Sequence, residues 1–219
     1  YTPFHGAGAF FVPEVLKSAG LKNLICVDAQ MTPDGDFPTV TSPNPETDES
    51  FELALQLAKE KCADIIIGTD PDADRVGVMC RNRAGEYVKI SGNMVGVLLI
   101  DYIISSLKET GVPMRNPAVI KSIVTTEMAR EVCESYGVSC FDTFTGFKYM
   151  AGKINEFRKE KSHNFLFAYE ESIGYMMGNH VRDKDAVSAS LMICEMAAYY
   201  KLRGSSLLDV QESLYEKYG

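Results

Sequence analysis

The sequence lacks the paired cysteines of a zinc or redox site. Its six cysteines, Cys26, Cys62, Cys80, Cys133, Cys140 and Cys194, lie far apart, with no CxxC spacing and no cluster with the three histidines, so no zinc signal is present. They are expected to be reduced, mostly buried thiols in a cytoplasmic protein. No apolar run reaches the ~20 residues needed to cross a bilayer. The longest, around Met94 to Ile104, contains Asp101 and reads as a helix. A positive excess is missing too, and the net charge of −8 argues against nucleic acid or an anionic membrane as a partner. There is no low-complexity segment and no short-period repeat. The chain opens Tyr1-Thr2-Pro3, without a methionine or a charged lead-in, and is expected to be a piece of a longer protein.

What is present is an ordinary globular composition, 46% hydrophobic and 24% charged, with nothing pointing to disorder. A length of 219 residues favours two domains over one. In the first half the spacing predicts a strand end and glycine loop over Tyr1–Gly8, a helix over Phe10–Ala19 stopped by Gly20, and a strand over Leu24–Val27. Four prolines, Pro33, Pro38, Pro43 and Pro45, make Thr32–Glu49 a loop. A helix over Ser50–Cys62 buries Phe51, Leu53, Ala54, Leu57 and Ala58. Strands Ile65–Ile67, Val76–Cys80 and Tyr87–Ile90 follow, the last two joined by a hairpin at Arg81–Gly85.

The second half alternates again, with helices over Asn93–Lys108, Glu127–Tyr136, Tyr149–Lys159 and Ala186–Leu202. Its strands are Ala118–Ile123, Val138–Phe141 and Phe165–Ala168. The tail Ser206–Gly219 is amphipathic. The expected fold class is therefore α/β, two consecutive α/β domains, each a mixed sheet flanked by helices. The expected division is residues 1–88, residues 89–205, and a tail over 206–219.

The strongest chemical signal is Gly68-Thr69-Asp70-Pro71-Asp72-Ala73-Asp74-Arg75, directly after the β-branched run Ile65–Ile67. Carboxylates packed this densely repel one another unless a cation sits among them, so Asp70, Asp72 and Asp74 are candidate metal ligands. An EF-hand fails at its sixth position, here Arg75, and at its twelfth, here Arg81. A nucleophilic Asp70 of an aspartyl-phosphate hydrolase is the rival enzyme reading. A divalent-ion or sugar-phosphate binding module is the non-enzyme one, and a solvated acidic turn the blandest. A guanidinium at Arg75 can steer phosphate oxygens beside such a metal.

These residues resemble the magnesium loop of the α-D-phosphohexomutases, the phosphoglucomutase/phosphomannomutase family. Tyr1-Thr2-Pro3-Phe4-His5-Gly6 is similar to the opening of that family's second domain, and Phe37-Pro38 through Pro43-Asn44-Pro45-Glu46 to its proline loop. Thr145-Gly146-Phe147-Lys148 resembles its third-domain lysine loop, and Tyr169-Glu170-Glu171-Ser172-Ile173-Gly174 its sugar-binding loop. Order and spacing agree over most of the chain.

The resemblance implies Mg²⁺ held by Asp70, Asp72 and Asp74 together with a phosphoserine from a first domain. It implies phosphoryl transfer on a hexose phosphate through a bisphosphate intermediate. Arg75 and Lys148 take catalytic roles, and Glu170 and Ser172 bind neighbouring sugar hydroxyls from one side of an extended loop, with Glu171 facing away. Alone, Glu170 and Ser172 read more readily as helix caps and Lys148 as a solvated lysine. Lys184, Arg182 and His180, in His180-Val181-Arg182-Asp183-Lys184-Asp185, are the implied basic substrate contacts, while His5 is expected to be structural.

Thr41-Ser42-Pro43-Asn44-Pro45 lacks the histidine of the family's reactive-serine motif and occupies the proline-loop position, so Ser42 is not expected to be the nucleophile. Nothing after Lys201 resembles the family's last phosphate loop. The chain is thus expected to correspond to domains two and three, with the first and fourth missing and no turnover by itself. The continuation Tyr175–Asn179 resembles that of phosphoglucomutase-type enzymes more than that of the compact bacterial phosphomannomutases, which implies glucose.

Overall fold

The computed structural model describes every residue from Tyr1 to Gly219. The chain forms two compact units, one of Tyr1–Ser91 with Ala186–Val210, the other of Gly92–Asp185 with Gln211–Gly219.

In the first unit α1 (Gly8–Ser18) ends where Gly20 turns left-handed at φ 96°, its amide bonding to the Lys17 carbonyl at 2.9 Å. This is the stop that glycine supplies without a Cβ penalty. Helix α2 (Glu52–Lys61) stops at Cys62, left-handed at φ 51°. Strands β1 (Ile65–Thr69), β2 (Val76–Arg81) and β3 (Tyr87–Ile90) form an antiparallel sheet in that order. Its one parallel element is a bridge from Thr2 to Gly68, made by the Thr2 amide to Ile67 O and the Thr69 amide to Thr2 O, both 3.0 Å. The core joins Phe4, Val27, Phe51, Ala54, Ala58, Ile66 and Met79, with Phe4 edge-on to Phe51 at 5.3 Å.

The expected strand over Leu24–Val27 does not form. Val27 donates to Tyr1 O at 3.0 Å and the amino terminus to Ile25 O at 2.7 Å, but Asp28–Gln30 turns at once into a short 3₁₀ segment, too soon for a ladder. The thiols are all free, but only Cys80 and Cys133 are buried, and Cys62 is exposed at its helix end. The expectation of mostly buried cysteines fails.

The second unit contains α3 (Gly92–Glu109), β4 (Pro117–Ser122), α4 (Met128–Tyr136), β5 (Ser139–Thr143), α5 (Phe147–Glu160), β6 (Asn164–Glu170) and β7 (Gly174–Met177). The sheet runs β5-β4-β6-β7, with β4 parallel to β5 and β6, and β7 antiparallel to β6. Ala118, Ile120, Met150, Ile154, Phe157, Ala168 and Met176 build its core. Three parallel strands therefore end at one edge, at Ser122, Thr143 and Glu170, the edge where ligands bind in sheets of this kind.

Helix α6 (Ala186–Leu202) packs on α1, β1 and β2, so the structure groups it with the first unit, whereas the expected division put it in the second. Its burial against that sheet, not its place in the sequence, decides the grouping. Helix α7 (Leu207–Tyr218) begins at a capping box in which Ser206 Oγ accepts the Asp209 amide at 3.1 Å and Asp209 Oδ2 accepts the Ser206 amide at 2.9 Å.

Candidate functional site

The acidic loop joins β1 to β2 in a tight antiparallel hairpin, Thr69 pairing with Val76. Asp70 is almost fully buried, at 1% exposure. Its Oδ1 accepts the amides of Asp74 (3.1 Å) and Arg75 (2.9 Å), and its Oδ2 accepts Arg75 Nε at 2.7 Å. A carboxylate offers about four lone-pair positions, so one remains on Asp70 for a further partner. Asp74 is half-buried and Asp72 exposed. Ala73 between them is left-handed at φ 57°, and its carbonyl accepts the Ala186 amide at 3.0 Å.

The opposite wall is the glycine loop. The Ala7 amide donates to Pro71 O at 2.7 Å, and a Cβ at Gly6 would stand 2.4 Å from Pro71 Cα. Only glycine lets the two backbones approach so closely.

One oxygen from each of Asp70, Asp72 and Asp74 lies within 4.8 Å of the others. Bonds of about 2.1 to 2.4 Å to a hard divalent cation put opposite ligand oxygens about 4.2 to 4.8 Å apart, so the cluster has the span of one cation's shell. The donors are all oxygen, which favours such a cation over a soft one. The cluster could bind a metal. Burial pushes the Asp70 carboxyl up, Asp74 and Asp72 push the same way, and the hydrogen bonds from Arg75 oppose them. A cation would relieve the same conflict.

Arg75 is thus spent in part on Asp70. Its Nη1 lies 3.6 Å from Glu46 Oε2, a neighbour that no spacing in the sequence announces. His5 is buried, its Nδ1 2.9 Å from Thr32 O and its Nε2 2.9 Å from Thr39 Oγ1, which makes it a structural histidine.

In the second unit the sheet edge gathers Lys148, Glu170, Ser172 and Lys184. Glu170 is the last residue of β6 and accepts the Gly146 amide through Oε1, tying the sugar-type loop to the lysine loop. Gly146, at φ 113°, opens α5, and Lys148 in its first turn is exposed, its Nζ 4.9 Å from the Tyr149 ring centroid. A cavity of about 410 Å³ opens there, lined by Asp142, Phe144, Lys148, Tyr149 and Lys153 among others. The Lys184 stem covers Gly174, where a Cβ would meet its Cδ at 2.9 Å, and its Nζ lies 5.9 Å from the Phe147 ring.

Arg182 and His180 are used within their own loop. Arg182 Nη1 donates to Val181 O at 3.2 Å, and His180 Nε2 stands 3.3 Å from Asp185 Oδ2.

Two expectations change here. The extended loop after Glu170 is a tight β6–β7 hairpin, Glu170 pairing with Gly174 and Tyr169 with Tyr175, so Ser172 sits in a turn. Glu171 does not face away. Its Oε2 accepts Ser122 Oγ and Thr125 Oγ1, each at 3.0 Å. Sequence reasoning missed those two partners because they lie about fifty residues upstream, on the end of β4. The same strand carries the wholly buried Lys121, which donates to Glu127 Oε1 at 2.7 Å, and whose Nζ lies 3.0 Å from Asp142 Oδ1.

The two α/β units match successive domains of one protein family. Residues 1–85 match the description "Phosphoglucomutase/phosphomannomutase, alpha/beta/alpha domain II", and residues 91–218 match domain III of the same family. The chain belongs to the phosphoglucomutase/phosphomannomutase family.

Among curated relatives it is 37% identical over 219 residues to the phosphoglucomutase of Staphylococcus aureus strain N315, covering all of this chain and 39% of that protein. Among solved structures it resembles a Thermus thermophilus protein assigned as a phosphomannomutase (TM-score 0.73, 25% identity, 97% of this chain and 44% of that one). It shares the fold of a Burkholderia thailandensis phosphoglucomutase/phosphomannomutase family protein (TM-score 0.72, 18% identity, 97% and 41%). The chain spans about two fifths of the length of the curated relatives it matches. No helix is long and apolar enough to cross a membrane.

Proposed function

We propose that this chain supplies the metal loop and the sugar-recognition loops of a cytoplasmic phosphohexomutase that interconverts hexose 1-phosphate and hexose 6-phosphate, with glucose the favoured sugar. The observation that carries the reading is the convergence of three carboxylates within 4.8 Å at the end of a buried strand, in a chain of this family.

Asp70, Asp72 and Asp74 would hold Mg²⁺, which supplies charge neutralisation at a transferring phosphoryl group. Arg75 fixes the buried ligand Asp70 with its Nε, and its outer guanidinium nitrogens, one of them shared with Glu46 at 3.6 Å, would meet phosphate oxygens. Lys148 brings an exposed ammonium to the lysine loop, able to offset charge on the reacting oxygens. Glu170 and Ser172 accept and share hydrogen bonds with sugar hydroxyls, and Lys184 and Arg182 would supply positive charge for the substrate's phosphate, with His180 a further contact in the same loop. On this reading the phosphoserine and the last phosphate loop come from the first and fourth domains of the family architecture.

Calorimetric titration of the chain with Mg²⁺, compared with Asp72→Asn, tests the metal loop. The variant should bind at least about tenfold more weakly because one ligand charge is gone, and equal affinities would remove the loop from the metal site. In a mutase assay with glucose 1-phosphate and a bisphosphate activator, the complete gene product should turn over and the 219-residue chain alone should not. Robust turnover by the chain alone would refute the division of labour.

A further inference from the structure

Two neighbouring glutamates at the sheet edge of the second unit bond in different directions. Glu170 takes the Gly146 amide at the start of α5, while Glu171 takes the hydroxyls of Ser122 and Thr125 at the end of β4. Ser122 and Thr125 are 0% and 3% exposed and their hydroxyls lie 2.6 Å apart, so neither hydroxyl has water to fall back on. The hairpin is pinned from a third side as well. Tyr175 Oη donates to Gly92 O at 3.2 Å, and a Cβ at Gly92 would stand 2.0 Å from Glu171 O. The backbone of Glu171 therefore presses directly on the first residue of α3.

We propose that Glu171 is a positioning residue of the sugar-phosphate site. By accepting Ser122 and Thr125 it seats the β6–β7 hairpin on the end of β4, and so fixes where Glu170 points. Through the Gly146 amide, Glu170 in turn fixes the loop that carries Lys148. The chain of contacts runs Ser122 and Thr125, Glu171, Glu170, Gly146, Lys148, and it is built from hydrogen bonds and short covalent steps along the backbone. The role assigned to Lys148 and Glu170 rests on the function proposed above, whereas the mechanical link does not.

The physical logic is directional. A sugar hydroxyl is recognised only if its acceptor is held to a fraction of an ångström. Glu170 is the last ladder-paired residue before the turn, so the seating of the hairpin that follows decides how firmly it is held. The buried hydroxyl pair favours that seating because, even with one hydroxyl donating to the other at 2.6 Å, the second proton has its acceptor only with the Glu171 carboxylate in place. Both hydroxyls meet the same oxygen, Oε2, so the geometry needs one well-placed acceptor and not a charge as such. Glutamine can supply that acceptor with its amide oxygen, while alanine cannot.

The link is tested in the 219-residue chain by amide hydrogen exchange at Gly146. Glu171→Ala should accelerate that exchange about tenfold or more, since the amide loses its held acceptor, and Glu171→Gln should leave it within about threefold. If Glu171→Ala folds and leaves Gly146 unchanged, or if the glutamine variant accelerates it equally, the proposal is overturned. Should the alanine variant not fold, Ser122→Ala and Thr125→Val taken singly read the same amide, and no acceleration in either overturns it.

The consequence for catalysis is read in the complete gene product with glucose 1-phosphate. Glu171→Ala should lower kcat by about 10- to 100-fold, the cost of misplacing groups by about an ångström, and Glu171→Gln should restore it to within a few-fold. Failure of the glutamine to rescue counts against positioning. An unsubstituted gene product without mutase activity would sink the proposed function, while the exchange measurement would still decide the link.

Discussion

Arg75→Ala puts the acidic loop to a quantitative test. Removing one partner of a buried ion pair costs about 3–5 kcal/mol when the other charge is left alone. Asp70 is not left alone, because the amides of Asp74 and Arg75 belong to the backbone and keep donating to Oδ1 after the substitution. The guanidinium is also 31% exposed, which lets solvent screen part of the attraction. What disappears is one charge-assisted hydrogen bond of 2.7 Å to a carboxylate at 1% exposure, for an expected loss of about 2–3 kcal/mol at neutral pH.

The pH dependence has a definite sign. Burial already raises the Asp70 carboxyl, and losing Arg75 raises it further. A carboxyl raised in the folded state gains stability from protonation, so the deficit of Arg75→Ala should be largest near neutrality and shrink on acidification through the raised value. Asp70→Asn in the Arg75→Ala background should recover about 1–2 kcal/mol, because no buried charge remains to be compensated. Urea unfolding followed by circular dichroism measures the whole chain, and amide exchange in β1 and β2 reports the first unit alone. A loss below about 0.5 kcal/mol, or a deficit that grows toward acid, refutes the reasoning.

Gly6→Ala should drive a methyl group into the Pro71 backbone, 2.4 Å from its Cα and 2.5 Å from its carbonyl oxygen. It should destabilise the chain by about 1–3 kcal/mol and weaken Mg²⁺ binding in the same titration; an unchanged affinity would separate this contact from the loop. Lys121→Met should cost about 1–2 kcal/mol by chemical denaturation, less than Lys121→Ala, because Glu127 and Asp142 are exposed enough to hydrate once abandoned. Burial pulls the Lys121 ammonium down, but Glu127 and Asp142 outweigh it and hold it above its usual range. The stability it confers should therefore be complete below about pH 10.4 and lost as pH rises through the higher folded value, an alkaline limb absent from Lys121→Met. Ser206→Ala should remove about 1 kcal/mol by uncapping α7. The Ser206 amide and then its hydroxyl, aided by Arg83, hold the Asp209 carboxyl below the usual range, so what that carboxylate adds to the cap should be present above about pH 4 and vanish as pH falls through the lowered value, more in the unsubstituted chain than in Ser206→Ala.

The elements that were legible from sequence are those whose signal is local. The helix expected over Ala186–Leu202 forms to the residue, and the β-branched run before the aspartates marked β1. The strand expected at Leu24–Val27 failed because its backbone meets only Tyr1 before the chain turns at Asp28, too soon for a ladder. Strand β7 was hidden because the turn at Ser172 and Ile173 brings Gly174 back against Glu170, and Ile173, left-handed at φ 58°, carries none of the usual turn signature. In the acidic loop the three carboxylates were readable from their spacing, since adjacency along the chain forces adjacency in space. Glu46 beside Arg75, and Ser122 and Thr125 beneath Glu171, were not readable. Each is brought in by the packing of segments tens of residues apart, which no local pattern encodes.

The bond from the Ala186 amide to Ala73 O bears on how the protein is made. Ala73 is held left-handed in the middle of the acidic loop, and its partner is the first residue of a helix that emerges from the ribosome more than a hundred residues later. The first unit includes Ala186–Val210. At about 5–20 residues per second, its sheet and glycine loop would wait roughly 6 to 24 s after Ser91 for the helix that completes them. During that interval the chain carries a cluster of like charges without its last structural support and an uncovered apolar face on α1, β1 and β2. The acidic loop would be finished last although it is encoded early, so folding of the first unit is paced by synthesis of the second.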